Sequence, residues 1–93
     1  MKFIAFSGID PFSDKDGASN TIYVRPDNIY HIEQYTGPFQ LQAYGPDGKL
    51  VYTGKFKQII GGSLLWLAVG GQRIVTESPA TVLETINGPG FDT

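Results

Sequence analysis

Apolar and polar residues along this chain alternate with a period of two over most of its length, and a helical period appears only near the C-terminal end. Residues 2–9, KFIAFSGI, put Phe3 and Ala5 on one face of an extended strand and Ile4 and Phe6 on the other, so both faces need cover. Residues 10–20, DPFSDKDGASN, form an exposed acidic loop rich in turn formers. In residues 21–25, Ile22 and Val24 point inward while Tyr23 and Arg25 point out. Pro26-Asp27-Asn28 reads as a turn, and residues 29–35, IYHIEQY, resume a strand.

A hairpin follows over residues 36–57. Pro46-Asp47-Gly48 suits a type I turn closed by a left-handed glycine, which sets Tyr44 opposite Leu50, Ala43 opposite Val51, Gln42 opposite Tyr52 and Leu41 opposite Thr53. Phe39, Leu41, Ala43 and Val51 then make an apolar face, and Gln40, Gln42, Tyr44 and Tyr52 an amphipathic one. The pentads YTGPF and YTGKF are alike, but two copies of five residues do not make a repeat. Residues 58–62 read as a connector, and LLWLAV, residues 64–69, as a strand that is apolar on both faces. Gly70-Gly71 predicts a two-residue turn that pairs Ala68 with Arg73, Leu67 with Ile74 and Trp66 with Val75. A short helix over residues 79–86 starts at the Ser78 cap with Pro79 in its first position. It carries Val82, Leu83 and Ile86 as a stripe and stops at Asn87-Gly88-Pro89.

Together these elements predict a mainly β fold. It is a small, strongly bent antiparallel sheet or barrel of about seven strands, with one short C-terminal helix, 79–86. The 93 residues make a single domain, 1–93, with the hairpin at about 36–57 as an insertion. A domain of this size buries only ~60 to 65% of its unfolded surface. Self-association would cover the two-sided apolar strands, so a homo-oligomer is expected.

Two blocks, IYVRPDNIYHIEQY (22–35) and LLWLAVGGQRIVTESPATVLETI (64–86), carry a pattern found elsewhere. An extended stretch with a Pro-Asp turn leads into Ile-x-x-Ile-Glu, then a Gly hairpin, a Val-x-Glu-Ser strand end and a short helix. In this pattern the chain resembles the flagellar FlbD family and related small bacterial and phage β proteins, through Val24, Pro26, Asp27, Ile29, Ile32, Glu33, Gly71, Val75, Glu77, Ser78, Val82 and Ile86. The resemblance implies a non-enzymatic accessory or regulatory protein. The chain departs from the family by its N-terminal strand, its acidic loop and its hairpin 36–57, where a new binding surface would be built.

Candidate chemistry is sparse. No cysteine is present, which excludes disulfides, thiolate nucleophiles and cysteine metal sites. His31 is the one histidine, and neither a G-x-S-x-G elbow nor an H-E-x-x-H pair accompanies it, so the chain reads as non-catalytic. Asp14-Lys15-Asp16-Gly17 lacks the later ligands of a calcium loop, and no metal or cofactor is expected. A net charge of −2 argues against nucleic acid, and the four-residue apolar run FIAF is too short for a membrane span or a signal segment. A soluble, cytoplasmic protein is expected, in the host cytoplasm if the protein is viral.

The strongest binding signal lies on the hairpin. Lys49, Lys55 and Lys57 cluster there, Gly61-Gly62-Ser63 would add backbone amides, and Tyr44 and Tyr52 would add stacking surface, a mixture suited to a nucleotide. The competing reading is a lysine-guarded edge. Tyr23, Arg25 and Arg73 project from strands and suit an interface, and His31 completes the candidate ligand set. The expectation is an oligomeric binding module. Its most concrete form is a viral or mobile-element accessory protein that sequesters a small anionic, nucleotide-like ligand at a subunit interface. A protein-interaction adaptor without a small ligand is the alternative, and an RNA-binding small barrel a third. The helix start offers little to a phosphate, because Glu77 precedes the cap and Pro79 removes an amide donor.

Overall fold

The computed structural model describes residues 2–15 and 18–88 and the backbone pairing of 91–92; Asp16 and Gly17 of the acidic loop and Pro89 of the helix stop lie outside the described residues. Strands β1 (Lys2–Ile9), β2 (Ser19–Val24), β3 (Ile29–Tyr44), β4 (Leu50–Leu67) and β5 (Gly71–Val75) precede helix α1 (Pro79–Asn87) and a two-residue β6 (Phe91–Asp92). The five main strands lie in the order β2-β1-β5-β4-β3, all pairs antiparallel, with β6 paired to the start of β1. Among the described residues none of the helices is long and apolar enough to cross a membrane.

Mainly β architecture and a short C-terminal helix are as the sequence pattern implies, but the sheet is open and has fewer, longer strands than the expected seven. Residues 29–44 form one strand of 16 residues, and residues 50–67 one of 18 that absorbs the expected connector 58–62. The sequence reads as broken there because the ladder slips between Ile29 and His31, between Tyr35 and Gly37, and between Gln40 and Gln42. Gly54 (φ 80°) and Gly61 (φ 68°) take the left-handed conformations at two of these slips, so the strand bends without ending. The hairpin at 36–57 is therefore the outer part of a continuous β3–β4 ribbon. The Pro46-Asp47-Gly48 turn behaves as read: Gly48 has φ 78°, and Tyr44–Leu50, Ala43–Val51 and Gln42–Tyr52 are opposed. Leu41 and Thr53 fall in the slip, where the Thr53 hydroxyl donates to the Leu41 carbonyl at 3.2 Å.

The glycine turn departs from its expected register. Leu65 opposes Arg73, Leu64 opposes Ile74 and Ser63 opposes Val75, so the loop spans Ala68 to Gly70 rather than two glycines. Asn28 is the cause. Its backbone carbonyl accepts from Ala68 N at 2.8 Å, its side-chain oxygen accepts from Val69 N at 2.8 Å, and its side-chain amide donates to the Val69 carbonyl at 2.9 Å. A neighbouring element thus satisfies backbone groups that a two-residue turn would have paired internally.

The core gathers Ile4 and Phe6 of β1, Val24 of β2, Leu65 of β4, Val75 of β5 and Val82 of α1, flanked by Ile22, Ile29, Ile32, Leu67 and Ile86. Leu83, expected in the helix stripe, is exposed, because Val82 and Ile86 lie one turn apart while Leu83 sits about 100° round from Val82. Ser78 caps the helix, its hydroxyl oxygen accepting from Thr81 N at 3.3 Å. At the other end the Lys2 amine donates to the carbonyls of Ile86 and Gly88, a cation at the negative end of the dipole.

Two hairpin units meet in a narrow seam. Only Gly8 and Val75 are opposed between β1 and β5, and Thr76 N donates to the Ser7 carbonyl beside them at 2.8 Å. The Glu77 carboxylate accepts from Ser7 N through both oxygens, at 3.0 and 2.9 Å. On the far side the sheet curls back on itself, and Gln42 N of β3 donates to the Pro11 carbonyl just past β1, at 2.8 Å.

Candidate functional site

The curl encloses a cleft of about 520 Å³ between the ends of β1 and β2 on one side and β3, β4 and β5 on the other. Ile9, Pro11, Phe12, Ile22, Phe39, Leu64 and Ile74 give it apolar walls; Asn20, Gln42, Gln72 and Arg73 supply polar groups. A cleft of several hundred Å³ whose walls are about equally polar and apolar has the size of a small-molecule site and several polar groups to orient a ligand. Arg73 is carried by β5 opposite Leu65, and among the described residues its guanidinium makes no ion pair. A guanidinium keeps its charge at any accessible pH and presents planar donors, so it is suited to a carboxylate or phosphate. Phe12 stacks on Tyr44, with ring centroids 5.5 Å apart and planes within 10°, which ties the tip of the ribbon to a wall of the cleft.

Lys57 does different work from that expected of it. Its side chain is buried, and its amine donates to the carbonyls of Asp10 at 2.7 Å and Ser13 at 3.0 Å. A buried ammonium is tolerable only when its donors are satisfied, and here they hold the loop after β1 in place. Lys57 thus works as a strut for that loop and does not line the larger cleft. Lys55 lies in the exposed slip at Gly54, where its N–H donates to the Thr53 hydroxyl oxygen, and it does not line the cleft. Tyr52 is exposed opposite Gln42 and is likewise outside it.

Gly61-Gly62-Ser63 is no anion cradle. Gly61 N donates to the Thr36 hydroxyl oxygen at 3.1 Å, and the Ser63 hydroxyl donates to the Glu77 carbonyl at 2.7 Å. Gly62 lies against β5 so tightly that a Cβ there would come within 2.5 Å of the Val75 carbonyl oxygen.

Tyr23, Arg25 and Arg73 come together in a second, shallower cleft of about 390 Å³ with Phe3, Ile22 and Leu67. Arg25 is held by Asp27 at 2.8 Å in an exposed ion pair. Arg73 and Ile22 line both clefts. His31 belongs to neither: its Nε2 lies 2.8 Å from Glu33 Oε1, and its ring meets Trp66 edge-on at 6.0 Å. Of the expected ligand set, the structure therefore brings Arg73 to the larger cleft, Tyr44 to its neighbourhood through Phe12, and Tyr23 and Arg25 to the smaller one.

Nothing in the residue pattern marks Asn20, Gln42 and Gln72 as residues of one cleft. They come from three strands, and only the curl of the sheet assembles them. Phe12 was hidden in the acidic loop, where a lone aromatic among turn residues was the one available hint. Comparisons with protein-family models, curated proteins and solved structures gave no match.

Proposed function

We propose that this protein is a non-catalytic, self-associating binding module that takes a small anionic ligand with a planar, nucleotide-like portion in the Arg73 cleft. The observation that carries the reading is Arg73, which makes no ion pair among the described residues and lines a 520 Å³ cleft with Asn20, Gln42 and Gln72. Arg73 would meet the anionic group. The carboxamides offer both donors and acceptors to a base edge, and Phe12 and Phe39 offer it apolar surface. The curl of the open sheet that forms the cleft is held by the Gln42–Pro11 bond. In this reading the protein works in the cytoplasm, as a sequestering accessory of viral or mobile-element type, in keeping with the FlbD-like blocks and the small size.

A second reading, a protein-interaction adaptor, is favoured by the exposed Tyr44, Tyr52 and Phe56 on the ribbon. A thermal-shift screen against mono-, di- and cyclic nucleotides separates the two. A ligand at ~100 times its dissociation constant stabilises by ~2.7 kcal/mol, a rise of roughly 10 to 20 °C for a domain this small. The binding reading requires such a shift for at least one nucleotide and its loss in Arg73→Ala. No shift with any of them, or a shift that Arg73→Ala leaves unchanged, would overturn it.

A further inference from the structure

The larger and the smaller cleft adjoin. Ile22 and Arg73 line both, so Arg73 stands where they meet, with about 520 Å³ on one side of it and about 390 Å³ on the other. Each volume lies within the ~300 to 1,000 Å³ of a small-molecule site. Charge along these walls is sparse. Among the described residues, Arg73 and Arg25 are the charged side chains that line the two clefts, and Arg25 is already held by Asp27 at 2.8 Å. Lys57 donates to the Asp10 and Ser13 carbonyls, and the Gly61 N–H to the Thr36 hydroxyl oxygen. What the walls offer an anion is therefore one guanidinium, placed between two compartments. That arrangement matches a group that carries one negative charge and has a bulky substituent on each side. A chain of phosphates would bring further charges that these walls do not answer.

We infer that the two clefts form one bipartite site for a dinucleoside monophosphate, in which Arg73 meets the phosphodiester and each cleft seats one nucleoside. The inference rests on the nucleotide reading above and narrows it to a ligand class. A phosphodiester bears a single charge and joins two nucleosides, whereas a terminal phosphate bears up to about two charges and has a nucleoside on one side only. The planar donors of a guanidinium suit the two non-bridging oxygens of the diester. The compartments differ in what they offer a base. The larger presents the carboxamides of Asn20, Gln42 and Gln72 to its edge. The smaller presents the surfaces of Phe3, Tyr23 and Leu67, while the carboxamide of Asn28 there is already bound to the Val69 backbone. Apolar and aromatic surface accepts the face of any base, so the larger cleft is the one equipped to discriminate.

The test is calorimetric titration of the protein with the dinucleoside monophosphates ApA, CpC, GpG and UpU, each beside the mono-, di- and triphosphate of the same nucleoside. At least one dinucleoside monophosphate should bind about tenfold or more tighter than the matching monophosphate, because its second nucleoside docks intramolecularly once the first is seated. The di- and triphosphates should bind no tighter than the monophosphate. Tyr23 and Val69 are exposed and line the smaller cleft but not the larger. Tyr23→Ala and, in a separate protein, Val69→Gly should each bring the ratio of dinucleoside to monophosphate affinity toward one. A monophosphate that equals every dinucleoside monophosphate, an affinity that climbs from mono- to triphosphate, or a ratio that neither variant changes would overturn the bipartite site and leave the nucleotide reading in place. Failure of all these ligands to bind would overturn both.

Discussion

The inner and outer halves of the β3–β4 ribbon belong to the same two strands and hold their shape by different means. The inner half, around Ile32 and Leu65, packs β5 on one side and shares the core with Ile4, Phe6 and Val82. The outer half, around Leu41 and Ile59, has Leu50, Tyr52, Phe56 and Ile60 exposed and is tied down by Lys57, by the Gln42–Pro11 bond and by the Phe12–Tyr44 stack. Burial in the shared core holds the first region; the second buries Leu41 and Ile59 and depends besides on a few directional contacts. The elongation of the molecule, 42 × 27 × 20 Å, agrees with a projecting ribbon. Its radius of gyration of 14.2 Å exceeds the ~12 Å of a compact chain of this length.

Substitutions can break that contrast. Leu65→Ala removes a fully buried side chain from the inner half and should cost about 3 kcal/mol of global stability, read by chemical denaturation with all probes moving together. A loss below ~1 kcal/mol would mean that the inner half is not the stabilising region. Lys57→Ala leaves the Asp10 and Ser13 carbonyls without their donor and should cost ~1 to 3 kcal/mol. Its mark should be local: faster hydrogen exchange at Gln42 N–H, with protection in β1, β5 and the inner half kept. Uniform loss of protection would show that the strut belongs to the core. Asn28→Ala should cost ~1 kcal/mol through the released Ala68–Gly70 loop, seen as exchange broadening of the Val69 amide. Arg73→Ala should change stability by less than ~0.5 kcal/mol, because its guanidinium makes no ion pair among the described residues. A larger loss would make it a structural residue and weaken its role as a ligand contact.

Much of this was legible where chemistry is local. Pro46-Asp47-Gly48 dictates its own turn and the three pairs nearest it, and Ser78-Pro79 dictates a helix start. What escaped were features that depend on partners far away in sequence. The slips opposite Gly61 and at Gly54 keep β4 continuous where its glycines suggest breaks, and the pentads YTGPF and YTGKF mark these sites, the first opposite a slip and the second within one. Gly70-Gly71 pointed to a tight turn, and Asn28, more than forty residues earlier, selected a wider one. Lys57 looked like a ligand cation because strand parity gives the face a residue occupies but not the loop that folds over it. The charge of Arg73 was legible; the company of Asn20, Gln42 and Gln72 was not, since it depends on the curl of the whole sheet.

The seam at Gly8 and Val75 bears on what holds the wall of the larger cleft. The backbone joins the two hairpin units there by one opposed residue pair, one further bond and a carboxylate clasp, and the shared core of Ile4, Phe6, Val24, Leu65, Val75 and Val82 supplies the rest of the junction. Gly8 lies in the wall of the larger cleft, beside Asn20 and Ile22. Parting the β1–β2 unit from the rest at this joint would open that core, so this wall moves only as far as the core allows. The shape of the cleft is thereby tied to the stability of the whole domain and not to the backbone ladder at its thinnest junction.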